Sequence, residues 1–253
     1  VDFKLNKEQE TIRKVAREFA EKDISPISQE LDEKGEFPPE HILKKMRELN
    51  LFGLTTPKEY GGAGIDTISY SLVIEEISKV CAGIGVILSV HNSVSTHPIL
   101  TYGTKEQREK YLPRLASGKK IGAFALTESN AGSDAAAQET TAILRGNQYI
   151  INGTKIFITN GSKADVVLVM AMTDKSKGTR GISAFIVEKG TDGFTLGSKE
   201  NKMGIRCSDT YELVFQDCKI PKENILGKEG EGFKIAMSTL DGGRIGIASQ
   251  AVG

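Results

Sequence analysis

Residues 142–159 read AILRGNQYIINGTKIFIT. Gly146-Asn147 stands between the β-rich runs AILR and QYII, and Asn152-Gly153 stands between QYII and TKIFIT. Both pairs tolerate the positive φ that a two-residue hairpin demands, so the stretch predicts consecutive antiparallel hairpins. Further strands are expected at Val166–Met172, Ile182–Glu188 and residues 211–216. This close spacing points to an antiparallel sheet or barrel of about seven strands, with no βαβ rhythm and hence no Rossmann domain.

Upstream of residue 119 the pattern is helical. LNKEQETIRKVAREFAEKDI carries Ile12, Val15, Phe19 and Ile24 at nearly helical spacing, and Asn6 with Gln9 forms a capping pair. Pro38-Pro39 opens a second helix through Ile42, Met46 and Leu49. Residues 66–97 are long and mostly apolar, with Asp66 as N-cap, Pro98 as stop and an interruption at Cys81-Ala82-Gly83, so two buried helices are expected. Thr104 and Gln107 form another capping box before a helix that ends near Gly118. Downstream, a glycine-rich stretch (227–232) leads into a helix from Phe233, and nothing caps its end. That reading predicts a chain cut inside a larger helical unit.

Composition removes several function classes. Lys plus Arg and Asp plus Glu both number 33 in 253 residues, which leaves no basic footprint for nucleic acid. No run approaches the roughly 20 apolar residues of a membrane span, and the N-terminus lacks secretory or transit character. A cytoplasmic protein is expected, or a mitochondrial-matrix one in a eukaryote. Cys81, Cys207 and Cys218 are an odd number without CxxC spacing, which suits a reducing compartment. The histidines 41, 91 and 97 are scattered, so no metal site is expected.

The segment ALTESNAGSDAAA (125–137) leaves an apolar run and packs three hydroxyls, two acids, an amide and a glycine into positions 127–134. It reads either as a plain surface loop or as a cradle, with Gly132 allowing close approach and Thr127 and Ser133 offering hydroxyls to a phosphate or flavin edge. FITNGS (157–162) is either an ordinary strand end or a place where Phe157 and Thr159 meet a flat ligand. GGAG (61–64) has no preceding strand and reads as a turn. Asp241 and Arg244 sit at i,i+3 and read as a surface ion pair.

Taken together, PKEYGGAG (57–64), YGTKEQREKYLPRLASG (102–118), ALTESNAGSD (125–134), KIFITNGSKAD (155–165), KMGIRCSDTYELVFQDCKIPKENILG (202–227) and GEGFKIAMSTLDGGRIGIA (230–248) resemble the acyl-CoA dehydrogenases, most closely the short-chain, butyryl-CoA type. The resemblance implies an α+β chain: an N-terminal helical domain (1–119), a middle antiparallel β-barrel-like domain (120–231) and the first helix of a truncated C-terminal bundle (232–253). It implies FAD held by Phe124, Ala125, Leu126, Thr127, Gly132, Ser133, Phe157, Ile158 and Thr159. Ser133, Asp241 and Arg244 would meet the CoA portion of the substrate, and the helix over residues 87–96 would line the acyl pocket. The implied reaction is α,β-dehydrogenation of a short-chain acyl-CoA, with electrons passing to an electron-transfer flavoprotein and the intact protein a tetramer. The family's base is a glutamate, which in a minority of members precedes the arginine matching Arg244. Here that residue is Gly243, so no catalytic residue carries over and the base is expected beyond Gly253. Two alternatives stay open: a non-catalytic acyl-CoA- or protein-binding module, and a flavin oxidase or monooxygenase.

Overall fold

The computed structural model describes residues 4–253. Helices α1 (Lys7–Phe19), α2 (Ser25–Lys34), α3 (Glu40–Glu48), α4 (Thr67–Ser78), α5 (Ala82–Ser89), α6 (His97–Tyr102) and α7 (Lys105–Ala116) come first. Strands β1 (Gly122–Ala125), β2 (Thr141–Arg145), β3 (Gln148–Thr159), β4 (Val166–Met172), β5 (Ile182–Glu188), β6 (Phe194–Lys199), β7 (Thr210–Pro221) and β8 (Ile225–Leu226) follow, then the single helix α8 (Gly232–Val252). A helical unit, a sheet and a final helix are thus present, as the pattern change near residue 120 predicts.

Local chemistry starts the helices. Asn6 Oδ1 accepts from Gln9 N at 2.9 Å while Gln9 Oε1 accepts from Asn6 N, and Thr104 and Gln107 repeat the arrangement, so both expected capping boxes exist. Asp66 caps α4 through Ser69 N at 2.7 Å. Glu76 ties α4 to α1 by accepting from Arg13 Nε at 2.6 Å and Arg17 Nη2 at 3.0 Å. The helical core gathers Ile24, Met46, Phe52, Ile74, Ile77 and Ile84, all fully buried. Pro98 does not stop a helix. It lies in the first turn of α6, where its missing N–H is no loss, directly after a wide π-helical turn over Val90–Thr96.

The sheet corrects the expectation of a purely antiparallel barrel of seven strands. Eight strands form one mixed sheet in the order β6-β7-β3-β2-β4-β5-β8, and β1 runs parallel to β4 from Gly122↔Val166 to Ala125↔Val169. β2 also meets β4 in parallel, at Thr141↔Met172, whereas β5 occupies the whole opposite edge of β4. β1 and β2 therefore share one edge of β4, and residues 126–140 are an excursion between them. Neither strand is joined to β4 by a tight turn, so hairpin signals carry no trace of this pairing.

Gly146-Asn147 does turn the β2–β3 hairpin, with Arg145 opposite Gln148. Asn152-Gly153 makes no hairpin, because β3 runs straight through it. Asn152 is spent across the strands instead: its Oδ1 accepts from Asp217 N at 2.8 Å and its amide donates to Asp217 Oδ1 at 3.2 Å. Gly153 sits at the resulting register shift, with φ 148°, where a Cβ would strike Thr140.

β4 and β5 are buried on both faces. Val167, Val169, Phe185 and Val187 pack into the sheet's inner core, while Leu168, Met170, Ile182 and Ile186 pack against Leu112 and Leu115 of α7 and Ile235 and Ala236 of α8. His91 pins helix to sheet. Its Nδ1 accepts from Gly122 N at 3.1 Å and its Nε2–H donates to Leu115 O at 3.1 Å, and complete burial pushes its pKa down to about 4. α8 approaches α4 and α5 through glycine, since a Cβ at Gly246 would collide with the Ser89 and Tyr70 hydroxyls.

Candidate ligand site between sheet and final helix

A cavity of about 640 Å³ opens where four segments meet: the excursion after β1, the end of β3, the π-helical turn after α5, and α8. That volume lies within the roughly 300–1,000 Å³ of small-molecule and cofactor pockets.

The first wall starts from the alternation of β1. Phe124 and Leu126 face the cavity, while Ala123 and Ala125 point into the inner core. Thr127 follows, and the chain then folds back on itself through Glu128 N to Ala131 O and Ala131 N to Glu128 O, both 3.1 Å. Gly132, Ser133, Asp134 and Ala135 return along the cavity edge. A Cβ built on Gly132 meets nothing within 4 Å, so the space beside this backbone is open.

A buried ion pair holds the excursion in place. Lys155 of β3 is fully buried, and its Nζ donates to Leu126 O at 2.9 Å, Glu128 Oε1 at 2.7 Å and Gln138 Oε1 at 3.2 Å. Three acceptors match the three donors of an ammonium. Burial pushes Lys155 down to about 8, which leaves it charged at neutral pH. Burial alone would raise the Glu128 carboxyl, but the Lys155 charge outweighs it and holds the group below the usual carboxylate range. The other Glu128 oxygen accepts from Glu139 N at 2.6 Å and Thr140 N at 3.2 Å. Sequence reasoning missed this pair, whose members are 27 residues apart with no local signature.

The second wall comes from a bulge. β3 pairs Lys155 with Leu213 and Ile158 with Tyr211, so three steps on β3 answer two on β7. The extra residue puts Phe157 at φ 59°, a left-handed conformation unusual for an aromatic, and leaves the residue 59% exposed beside the cavity. Ile158 buries its side chain, and Thr159 returns to the cavity edge.

Ser89, Val90, Ser93 and Val94 form the third wall. Part of the 87–96 segment expected to line a pocket thus does so, while Ile87 is core. From α8 come Phe233, Met237, Leu240, Gly243, Arg244 and Ile247, of which sequence reasoning named only Arg244 as a site residue.

Of the eleven residues predicted for the site, Phe124, Leu126, Thr127, Gly132, Ser133, Phe157, Ile158, Thr159 and Arg244 surround this one cavity. Ala125 and Asp241 do not line it. The Ala125 methyl is in the inner core, and Asp241 is an exposed partner of Arg244, its Oδ1 accepting from Nη1 at 2.6 Å. The hydroxyls of Thr127, Ser133 and Thr159 have no hydrogen-bond partner among the described residues, so each is free for a ligand. Among those residues the only ionisable groups on the wall are Asp134 and Arg244. Asp134 Oδ1 already accepts from Ala136 N at 3.2 Å.

Comparison with known proteins agrees with this architecture. Residues 6–119 match the family described as acyl-CoA dehydrogenase, N-terminal domain, and residues 123–218 match acyl-CoA dehydrogenase, middle domain. The chain is 57% identical over 253 residues to the short-chain-specific acyl-CoA dehydrogenase of Clostridium acetobutylicum, covering all of this chain and 66% of that protein. It superimposes on butyryl-CoA dehydrogenase from Megasphaera elsdenii with TM-score 0.96 at 50% identity, over 99% of this chain and 66% of that one. A Bacillus anthracis acyl-CoA dehydrogenase solved in complex with FAD matches with TM-score 0.89 at 38% identity, over 97% of this chain and 42% of that one. The chain thus spans a little under two thirds of the length of the curated relatives it matches.

Proposed function

This chain belongs to the acyl-CoA dehydrogenase family, and from that membership we propose that its cavity holds FAD beside a short-chain acyl-CoA, for dehydrogenation of the thioester to the trans-2-enoyl-CoA. One observation carries the reading: three unpartnered hydroxyls and a bulge-exposed aromatic converge on a single cavity beside a backbone with open space at Gly132. Those are the groups a flat, hydrogen-bonding ring with a diphosphate tail requires.

When bound, FAD would supply the hydride acceptor for the substrate's β carbon. The protein's own residues bind and orient. Phe157 offers a ring face, Thr127 and Thr159 offer donors to a polar edge, and Gly132 with Ser133 offers backbone and hydroxyl to phosphate oxygens. Val90, Val94, Phe233 and Leu240 give the cavity apolar walls that exclude water. Arg244 supplies a cation at the rim, suited to the polar CoA arm. The α-proton needs a base, and Asp134 is committed to its own turn, so we assign no base to residues 1–253. On this reading these residues are the binding half of the enzyme and do not turn over alone. We extend the proposal to residues 1–119, 120–231 and 232–253 as successive units, to a homotetramer, to an electron-transfer flavoprotein as acceptor, and to the cytoplasm or a eukaryotic mitochondrial matrix.

The test begins with colour. Protein incubated with FAD and desalted should stay yellow, and Ser133→Ala and Phe157→Ala should each weaken retention. Butyryl-CoA added without oxygen should leave the flavin on residues 1–253 oxidised, and should bleach it in the full-length gene product. Folded protein that never retains FAD sinks the cofactor assignment. Full-rate dehydrogenation by residues 1–253 alone sinks the assignment of the base outside them.

A further inference from the structure

Two thiols that the ligand site does not use lie in contact across the boundary between helices and sheet. Cys81 closes the corner between α4 and α5, and Cys207 sits in the connection between β6 and β7, 126 residues later, with the two Sγ atoms 3.6 Å apart. Both are buried, Cys207 more completely than Cys81. Gly83 makes the approach possible, because a Cβ there would collide with Cys207 Sγ.

The pair is chemically asymmetric. Cys81 is the N-cap residue of α5. The hydrogen bond from Cys207, opposed by burial and helped by the Ile84 and Gly83 amides, lowers the Cys81 pKa to about 7. The same hydrogen bond, with burial and the Asp32 charge, pushes Cys207 up against the pull of Lys202. Cys81, at the amide-lined start of α5 and the less deeply buried of the two, is the sulfur placed as nucleophile, and Cys207 is the thiol that follows. Cys218 is also buried, with its pKa raised to about 11, and has no thiol beside it.

We infer that Cys81 and Cys207 are an oxidisable dithiol, which a hydroperoxide converts to an intrachain disulfide fastening the α4–α5 corner to the β6–β7 connection. The Cys81 thiolate attacks one peroxide oxygen, the O–O bond breaks, and water leaves with a sulfenic acid on Cys81. Cys207 then gives up its proton and attacks the Cys81 sulfur. The S–S bond forms and a second water leaves, so two thiols and one hydrogen peroxide become one disulfide and two waters. The sulfurs must close to about 2.05 Å, and the stretch Met203–Ile205 leading to Cys207 is exposed, with no core packing to oppose a shift of the connection.

The link joins two walls of the cavity. Asp209, two residues after Cys207, braces the end of β3: its carbonyl accepts from Asn160 N at 3.0 Å and its carboxylate from Ser162 N at 2.9 Å. α5 leads directly into Ser89 and Val90. The inference stands whatever ligand the cavity takes.

The experiment is hydrogen peroxide treatment of the purified protein, followed by peptide mapping without reduction. Met203 is fully exposed and reports the oxidant dose through its sulfoxide. The expected result is a linked Cys81–Cys207 peptide that dithiothreitol cleaves, and a Tm raised by roughly 5–10 °C, since the closed loop is long. Cys218→Ser should leave the link intact. Cys207→Ser should instead yield a Cys81 sulfenic acid that dimedone traps. Oxidised Met203 beside two unmodified thiols overturns the inference, and so does Cys81 sulfinic acid without a linked peptide. The parent and Cys218→Ser maps decide the matter even if Cys207→Ser fails to fold.

Discussion

Lys155→Met isolates the ion pair that holds the excursion between β1 and β2. The substitution keeps the length of the buried stem and deletes three donated hydrogen bonds, to Leu126 O, Glu128 Oε1 and Gln138 Oε1. Removing one member of a buried pair costs about 3–5 kcal/mol, because the other charge is stranded. Glu128 retains the Glu139 and Thr140 amides, which pulls the figure toward the lower end, while the orphaned Leu126 carbonyl adds back about 1 kcal/mol. For a chain of this size the sum corresponds to a Tm lower by roughly 10 °C. The effect has a pH signature. In the parent, the depressed Glu128 pKa gives stability that is present above the ordinary carboxylate value of 4.5 and lost as pH falls through the depressed one. In the variant only the Glu139 and Thr140 amides oppose burial, so the carboxyl pKa rises from its parent value and the ionised form destabilises. The gap between parent and variant should therefore widen from acid to neutral pH. Urea titrations across that range measure it, with hydrogen exchange at residues 126–140 reporting local loosening. Lys155→Met/Glu128→Gln should recover part of the loss, since it removes the stranded charge while the side-chain carbonyl can still accept from the Glu139 and Thr140 amides. A single variant within about 1 kcal/mol of the parent at neutral pH, or a double variant no better than the single, would refute the role given to this pair.

His91 supplies a second pH dependence. Its folded pKa of about 4 lies below the ordinary 6.5, so the unfolded chain takes up the proton first as pH falls. Stability should drop by about 3 kcal/mol between those values, at 1.4 kcal/mol per unit. His91→Gln can still accept from Gly122 N and donate to Leu115 O, and its stability curve should be flatter there. A parent curve without that fall contradicts the buried neutral ring. On α8, Gly246→Ala gains about 1 kcal/mol of helix propensity but loses about 1–3 kcal/mol to overpacking against Ser89 and Tyr70. Gly242→Ala meets no neighbour within 4 Å and should only gain. Equal Tm shifts for the two would mean that α8 does not pack as described. Phe157→Gly removes left-handed strain and little burial, so unliganded stability should hold or rise while FAD binding weakens about tenfold, the worth of one aromatic contact. A large loss of unliganded stability would make Phe157 a packing residue.

What could be read from the sequence was what short-range chemistry encodes. The boxes at Asn6 and Thr104 and the turn at Gly146-Asn147 each depend on residues two or three apart, and each stands where expected. Asn152-Gly153 carries the same local signal, but the contact that decides its use is with Asp217 on β7, 65 residues away. The parallel seat of β1 and β2 on β4 is equally non-local. Cavity residues on the excursion and at the end of β3 were named only through the family resemblance, because by themselves those segments read equally well as a plain loop and an ordinary strand end. The α8 residues Phe233, Met237 and Leu240 were not, since an apolar helix position reads alike whether it faces core or cavity. Neither did Phe157 announce its bulge, which requires the register against β7.

The shared edge of β4 has a consequence for how this architecture can diversify. Because β1 and β2 dock independently on one strand, the segment joining them could grow, shrink or change composition without moving any rung of the ladder. Such a scaffold would let natural variation retune the pocket while the framework stays put, much as a fixed frame accepts interchangeable inserts. Randomising positions 129–137 while sparing Glu128 and Lys155 should therefore yield a high proportion of folded variants with altered ligand preference.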